Sequence, residues 1–152
     1  MPGAFTPTCS MKHLPGFVEK AADIKAKGVD EIVCMAVNDA FVMGAWGDDQ
    51  KAHGKVRMVA DGNGEFTKAL GLELDASGFG MGQRSQRFAL IAKDGKVTKL
   101  LVEPGPGLNA SSAESVLEQP VRHRGGRALP VRRYRCTRGR SGSIAGATRS
   151  SR

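Results

Sequence analysis

Cys9 stands inside the stretch PGAFTPTCSMKHLPGF, residues 2–17, where two prolines and a glycine precede it and helix-forming residues follow. Three readings of such a cysteine are open. A lone thiol is most often a small buried hydrophobe, or it forms half of a disulfide. At the start of a helix it can instead be a nucleophile, because the free N–H groups and the macrodipole there favour the thiolate. An ordinary thiol is only a few per cent ionised at neutral pH, so a nearby guanidinium adds to that effect. Arg84 and Arg87 lie at the entrance of an apolar strand and supply two candidates. Thr6, three residues before Cys9, can share a site with the sulfur, and the turn chemistry of Pro2, Gly3 and Pro7 suits a rigid loop. His13, one helical turn on, is a candidate base or a structural group. From spacing and residue type alone, the reading stops at a candidate reactive cysteine.

Positioning those side chains requires the elements around them. Leu14, Phe17, Val18, Ala21, Ala22 and Ile24 recur near a 3.6 period, which predicts one helix from 9 to 27, bent at Pro15 and ended at Gly28. EIVCMAVN, 31–38, predicts a strand buried on both faces. Asp39 predicts a cap for a helix through Phe41, Val42 and Trp46, and VRMVAD, 56–61, predicts a second strand. A short helix follows in GEFTKALG, and the glycine-rich stretch 72–85 reads as loop. RFALIAKDGKVTKLLVE predicts a hairpin turning at Asp94-Gly95, with a last helix near 111–119. Trp46, Phe41 and Phe79 read as core or subunit-contact residues, and His53 carries no signal. Helices alternating with strands before a hairpin define an α/β layered domain with a mixed sheet flanked by helices.

The 152-residue chain carries a net charge of +8, but the charge is not spread evenly. Residues 1–118 hold 13 Lys and Arg against 15 acidic residues, a net charge of −2. The remaining ten basic residues are all arginines of the last part of the chain. A domain over 1–119 and a disordered Arg-rich tail over 120–152 follow. Two readings of the tail are weighed: an arm that binds nucleic acid, and the favoured one, a segment whose all-Arg, no-Lys composition reflects a shifted reading frame. Neither a transmembrane run nor a signal peptide is visible, so a cytoplasmic protein with reduced cysteines is expected, with no membrane partner and nucleic acid as an unfavoured one.

PGAFTPTCS followed by HLPGF resembles the active-site signature of the peroxiredoxins, in particular the type II, or peroxiredoxin-5-like, subfamily. The likeness extends through VNDAFVMGAWG at 37–47, GKVRMVADGNGEF at 54–66, RFALIAKDGKV at 87–97 and LLVEPGPGL at 100–108. It implies a thioredoxin-like fold and a peroxidase that reduces hydrogen peroxide and alkyl hydroperoxides. By motif position it implies that Cys9 is the peroxidatic cysteine and Thr6 the hydroxyl that binds peroxide. Pro2 is then the residue shielding the pocket, and Arg87 the guanidinium beside the sulfur. Thr6, Arg87 and the Cys9 N–H would stabilise charge on the departing oxygen, leaving a sulfenic acid.

The resemblance also frames how that sulfenic acid is reduced. The position matching a resolving cysteine in some members is Ala110. Cys34, 25 residues after Cys9, has the spacing of the second cysteine in glutathione- and glutaredoxin-linked type II enzymes, against the reading of an inert thiol in a buried strand, which is favoured. Glutathione with glutaredoxin, or else thioredoxin, is the implied reductant, with no bound cofactor or metal, and a homodimer is the implied assembly. Cys136 matches no position of the pattern. Relatives carry an apolar strand running into PGAFTP, whereas here Met1 stands at its end; an N-terminally truncated fold is expected, with a central strand's place unfilled and low stability. An inert truncated product and a nucleic-acid-binding protein are the alternatives to the peroxidase.

Overall fold

The structure, a computed structural model, describes residues 1–120. The tail readings and Cys136 lie outside the described residues. Among the described residues, parallel and antiparallel pairing are both present, distributed over three two-stranded ladders. Strand β1 (Val33–Ala36) pairs in parallel with β2 (Arg57–Ala60), with Cys34 beside Met58. Strands β3 (Glu73–Asp75) and β4 (Gln83–Ser85) form a short antiparallel pair. Strands β5 (Phe88–Lys93) and β6 (Lys96–Val102) form the predicted hairpin, whose turn places Asp94 and Gly95 at φ 51° and 75°. Left-handed φ at both central residues is what a two-residue turn needs to match strand twist, hence the Asp-Gly pair.

The single helix expected over 9–27 is three pieces. Cys9–His13 is a π-helical turn, α1 runs Leu14–Glu19, and after a break at Lys20, α2 runs Ala21–Ala26. Pro15 gives the reason: its ring would crowd the carbonyl four residues earlier and it has no N–H to donate. Widening the turn lets Leu14 N–H bond the Cys9 carbonyl, five residues back, so that Pro15 falls at the start of α1, where a missing donor costs nothing. Gly28 then ends α2 at φ 91°.

Asp39 caps α3 (Ala40–Asp49) as predicted, accepting from Val42 N–H at 2.9 Å. Helix α4 spans Glu65–Ala69 and α5 spans Ala113–Leu117, the latter capped by Ser112. Helices α1, α2 and α5 pack on one another, while α3 lies on β2. One apolar core gathers Leu14, Val18, Ile24, Ala36, Met43 and Trp46.

Two expectations are corrected. The stretch 72–85 is not plain loop, because β3 and β4 pair across a 3-10 turn at Ser77–Phe79 that its glycines shape. Strand β1 is not buried on both faces: Cys34 and Ala36 are, but Val33 is 50% exposed. Of the three aromatics read as core or subunit-contact residues, Trp46 is core, whereas Phe41 and Phe79 are 89% and 84% exposed, which leaves subunit contact as the reading open to them. Phe41 lies on the outward face of α3, and the 3-10 turn carries Phe79 away from the core.

Between β1 and β5 lies a cleft of about 1280 Å³, bordered by Val33, Met35, Ala89, Ile91, Leu14 and Ile24. The Met1 amino group reaches into it and donates to the Met35 carbonyl at 2.8 Å.

Two glycines of α3 test how tightly that helix is seated. A Cβ on Gly47 would lie 2.8 Å from Met58 Cγ on β2, whereas one on Gly44 would meet nothing within 4 Å. Gly47→Val is therefore expected to lose about 1–3 kcal/mol through overpacking. Gly44→Ala is expected to gain up to about 1 kcal/mol from helix propensity. Urea denaturation of both variants beside the parent checks the pair.

Candidate active site

The site begins with the loop ahead of Cys9. Ala4 N–H donates to Asn38 Oδ1 at 2.9 Å, tying the loop to the end of β1. Thr6 Oγ1 donates to the Gly3 carbonyl at 2.8 Å, and Ser10 N–H donates to the Thr6 carbonyl at 2.9 Å. Phe5 adopts φ 58°, a strained value for a bulky residue, and its ring lies 6.5 Å from that of Trp46. Trp46 Nε1–H in turn donates to Ser10 Oγ at 2.9 Å. Close packing holds this loop as well: a Cβ on Gly3 would sit 3.2 Å from Thr6 Cγ2. Pro2 is half-buried beside Gly3.

At the end of this loop Cys9 is fully buried. Arg87, immediately before β5 and 92% buried, donates from Nη1 to Cys9 Sγ at 3.3 Å. The same Nη1 lies 3.4 Å from His13 Nδ1. Arg84, the second candidate guanidinium, does not reach the sulfur; it donates to the carbonyls of Met81 and Val37 and ties β4 to β1. The Arg87 Nε–H is buried and without a partner among the described residues.

His13 is buried and its Nε2 lies 2.8 Å from the Ser111 carbonyl. Burial drives the His13 pKa down to about 4, the Ser111 carbonyl opposing the fall and the Arg87 charge adding to it. The imidazole is thus neutral at physiological pH. Ser111 is itself fixed: its N–H and hydroxyl both donate to Glu103 Oε1, at 2.7 and 2.9 Å. Burial alone would raise the Glu103 carboxyl, but the bonds it accepts from Ser111 and Asn109 outweigh that and hold it below the usual range. Glu103 N–H closes the circuit on the Arg87 carbonyl at 2.9 Å.

Cys34 is brought to the cleft wall, with Sγ 3.6 Å from Met1 Sδ. Burial pushes its thiol up to about 12, the behaviour of a thiol that stays protonated. Both Cys9 and Cys34 are free of disulfides. No group of three or more metal-ligating side chains occurs among the described residues, and none of their helices is long and apolar enough to cross a membrane. Sequence reasoning missed Asn38, Ser111 and Glu103 as site residues; Asn38 lies inside the VNDAF stretch at a strand end and Glu103 inside LLVEPGPGL, while nothing marked Ser111.

A buried thiol against a buried guanidinium, on a helical turn leaving an α/β fold, defines a thiol-based redox protein of the thioredoxin-like class. The Redoxin family matches residues 1–117. Peroxiredoxin-2B of Arabidopsis thaliana is 58% identical over 118 residues, covering 78% of this chain and 73% of that one. Among solved structures, reduced Prx3 from Vibrio vulnificus in complex with hydrogen peroxide superposes with a TM-score of 0.74 at 56% identity, over 77% of this chain and 71% of that one. Peroxiredoxin 5 from Alvinella pompejana does so with a TM-score of 0.67 at 38% identity, over 77% and 73%. The chain belongs to the peroxiredoxins, and within them to the type II group.

The depressed pKa of His13 has a stability consequence. Because the folded state binds this proton only near pH 4 and an unfolded histidine binds it near 6.5, stability is full above 6.5 and lost as pH falls between the two. The loss amounts to about 3 kcal/mol. Glu103 and Asp61, both held low in the fold, extend the loss at still lower pH. Urea midpoints of the parent are expected to fall between pH 6.5 and 4.5, and those of His13→Gln to fall distinctly less.

Proposed function

We propose that this chain reduces hydrogen peroxide and alkyl hydroperoxides through Cys9, with glutathione and glutaredoxin as the reducing partners. The observation that carries the reading is the 3.3 Å bond from Arg87 Nη1 to Cys9 Sγ, made by two groups that are both buried. A guanidinium donating to sulfur favours the thiolate, the nucleophilic form. The Cys9 thiolate attacks one peroxide oxygen; an S–O bond forms, the O–O bond breaks, and the second oxygen departs as hydroxide or alkoxide and takes up a proton. Cys9 is left as sulfenic acid.

Charge develops on the departing oxygen, so fixed donors there lower the barrier. The Arg87 Nε–H is suited to that task because no described residue occupies it. Thr6 Oγ1 directs its hydrogen at the Gly3 carbonyl, so in this reading its oxygen accepts from the peroxide hydroxyl and leaves donation to the departing oxygen to Arg87 and the Cys9 N–H. Pro2, beside Gly3, shields the pocket and brings no N–H to compete for substrate.

For the reductive half, glutathione thiolate attacks the sulfenic sulfur; an S–S bond forms, the S–O bond breaks, and the hydroxide released takes up a proton to leave as water, giving a mixed disulfide that glutaredoxin resolves. Cys34 is not an obligatory partner in this reading, because its thiol is buried and stays protonated. Thioredoxin is the alternative reductant and a homodimer the proposed assembly. The cytoplasm is the proposed compartment, while a relative named as chloroplastic, Peroxiredoxin-2E of Arabidopsis thaliana at 52% identity, belongs to the same family.

Stopped-flow peroxide consumption with glutathione and glutaredoxin tests the proposal. Cys9→Ser is expected to abolish turnover, and Thr6→Val to slow the peroxide step about 10- to 1000-fold, as for loss of a group oriented at the reacting oxygen. Cys34→Ala is expected to stay within about threefold of the parent. Turnover that survives Cys9→Ser would overturn the reading.

A further inference from the structure

The bonding around Arg87 assigns a role to the imidazole that packs against it. The two hydrogens on Nη1 have two acceptors: Cys9 Sγ at 3.3 Å and His13 Nδ1 at 3.4 Å. A guanidinium nitrogen can only donate, so Nδ1 must be bare. On the far side of the ring, Nε2 faces the Ser111 carbonyl, which can only accept, so Nε2 carries the proton. Both neighbours thus demand the same neutral tautomer. A second proton would set an N–H on Nδ1 against the N–H of Arg87.

We infer that His13 is a positioning residue for the peroxide reaction: as a neutral imidazole it holds Nη1 of Arg87 so that the remaining hydrogen points at the Cys9 sulfur. His13 transfers no proton itself. Its own orientation is set from residues about a hundred positions away, through Ser111 and the Glu103 carboxylate, and the Glu103 main chain returns to that of Arg87. Arg87, Glu103 and the Met1 amino group are the charged groups that bear on the ring. The inference rests on the peroxidase reading for its kinetic consequence, and on geometry alone for the state of Cys9.

Two near-isosteric variants divide the two bonds. His13→Asn presents an acceptor where Nδ1 stood, keeping the bond from Arg87 and losing the tether to Ser111. His13→Gln presents a donor where Nε2 stood, keeping the tether and losing the acceptor for Arg87. Two measurements are made on each full-length variant: the peroxide rate constant, and the rate of iodoacetamide alkylation at pH 7 read by mass spectrometry of the Cys9 peptide. His13→Asn is expected within about threefold of the parent in both, and His13→Gln slower by about tenfold or more, the effect of one hydrogen bond to a charged group. A purely structural role predicts the reverse order, since the tether would then matter most. His13→Asn as slow as His13→Gln, or His13→Gln equal to the parent, would overturn the inference. Alkylation needs no turnover, so the expected order there without peroxidase activity would count against the function and not against this assignment.

Discussion

One hydrogen bond, from Arg87 to the sulfur of Cys9, sets the terms for the structure around it. A guanidinium that is 92% buried is costly unless its donors are used and its charge is answered. The protein answers with a sulfur, a neutral imidazole and, two hydrogen bonds beyond the imidazole through Ser111, the Glu103 carboxylate. That arrangement explains why His13 must stay uncharged beside Arg87. It also explains why a carboxylate is buried some way from the reacting atom, where it balances the arginine without competing for its hydrogens.

The Cys9 side of the bond depends on the turn that carries it. A regular α-helix from Cys9 onward would bring the Pro15 ring against a carbonyl, and the π-helical turn is the relief. The same turn buries Cys9 and His13 together, one turn apart, so that both can meet one guanidinium nitrogen. Local backbone chemistry and site chemistry therefore have one origin, the proline six residues after the cysteine.

Much of this was legible in the sequence because it is local. The cap at Asp39, the turn at Asp94-Gly95 and the buried Trp46 follow from short-range rules of spacing, capping and turn conformation. Arg87 was reachable only as one of two arginines until the family likeness chose between them; the bonds of Arg84 to two carbonyls show why spacing could not. The link from His13 to Ser111 spans 98 residues, and no local pattern marks it. The β3–β4 pair escaped notice because three-residue strands among glycines carry too little periodicity to count. For Phe41 and Phe79 the sequence left core and subunit contact open, because an aromatic residue type does not say which side of its element faces the core.

The cleft between β1 and β5 changes what the reacting pair does mechanically. No ladder of main-chain bonds joins the β1–β2 pair to the β5–β6 pair among the described residues. Arg87 begins the second of these pairs, while the loop before Cys9 is tied through Asn38 to the end of the first. The contact between thiol and guanidinium is thus a cross-brace over a gap as well as a piece of reaction chemistry. A sulfur that gains oxygen changes the length and strength of that brace, so the chemical state of one atom is felt as a load on the two halves it spans.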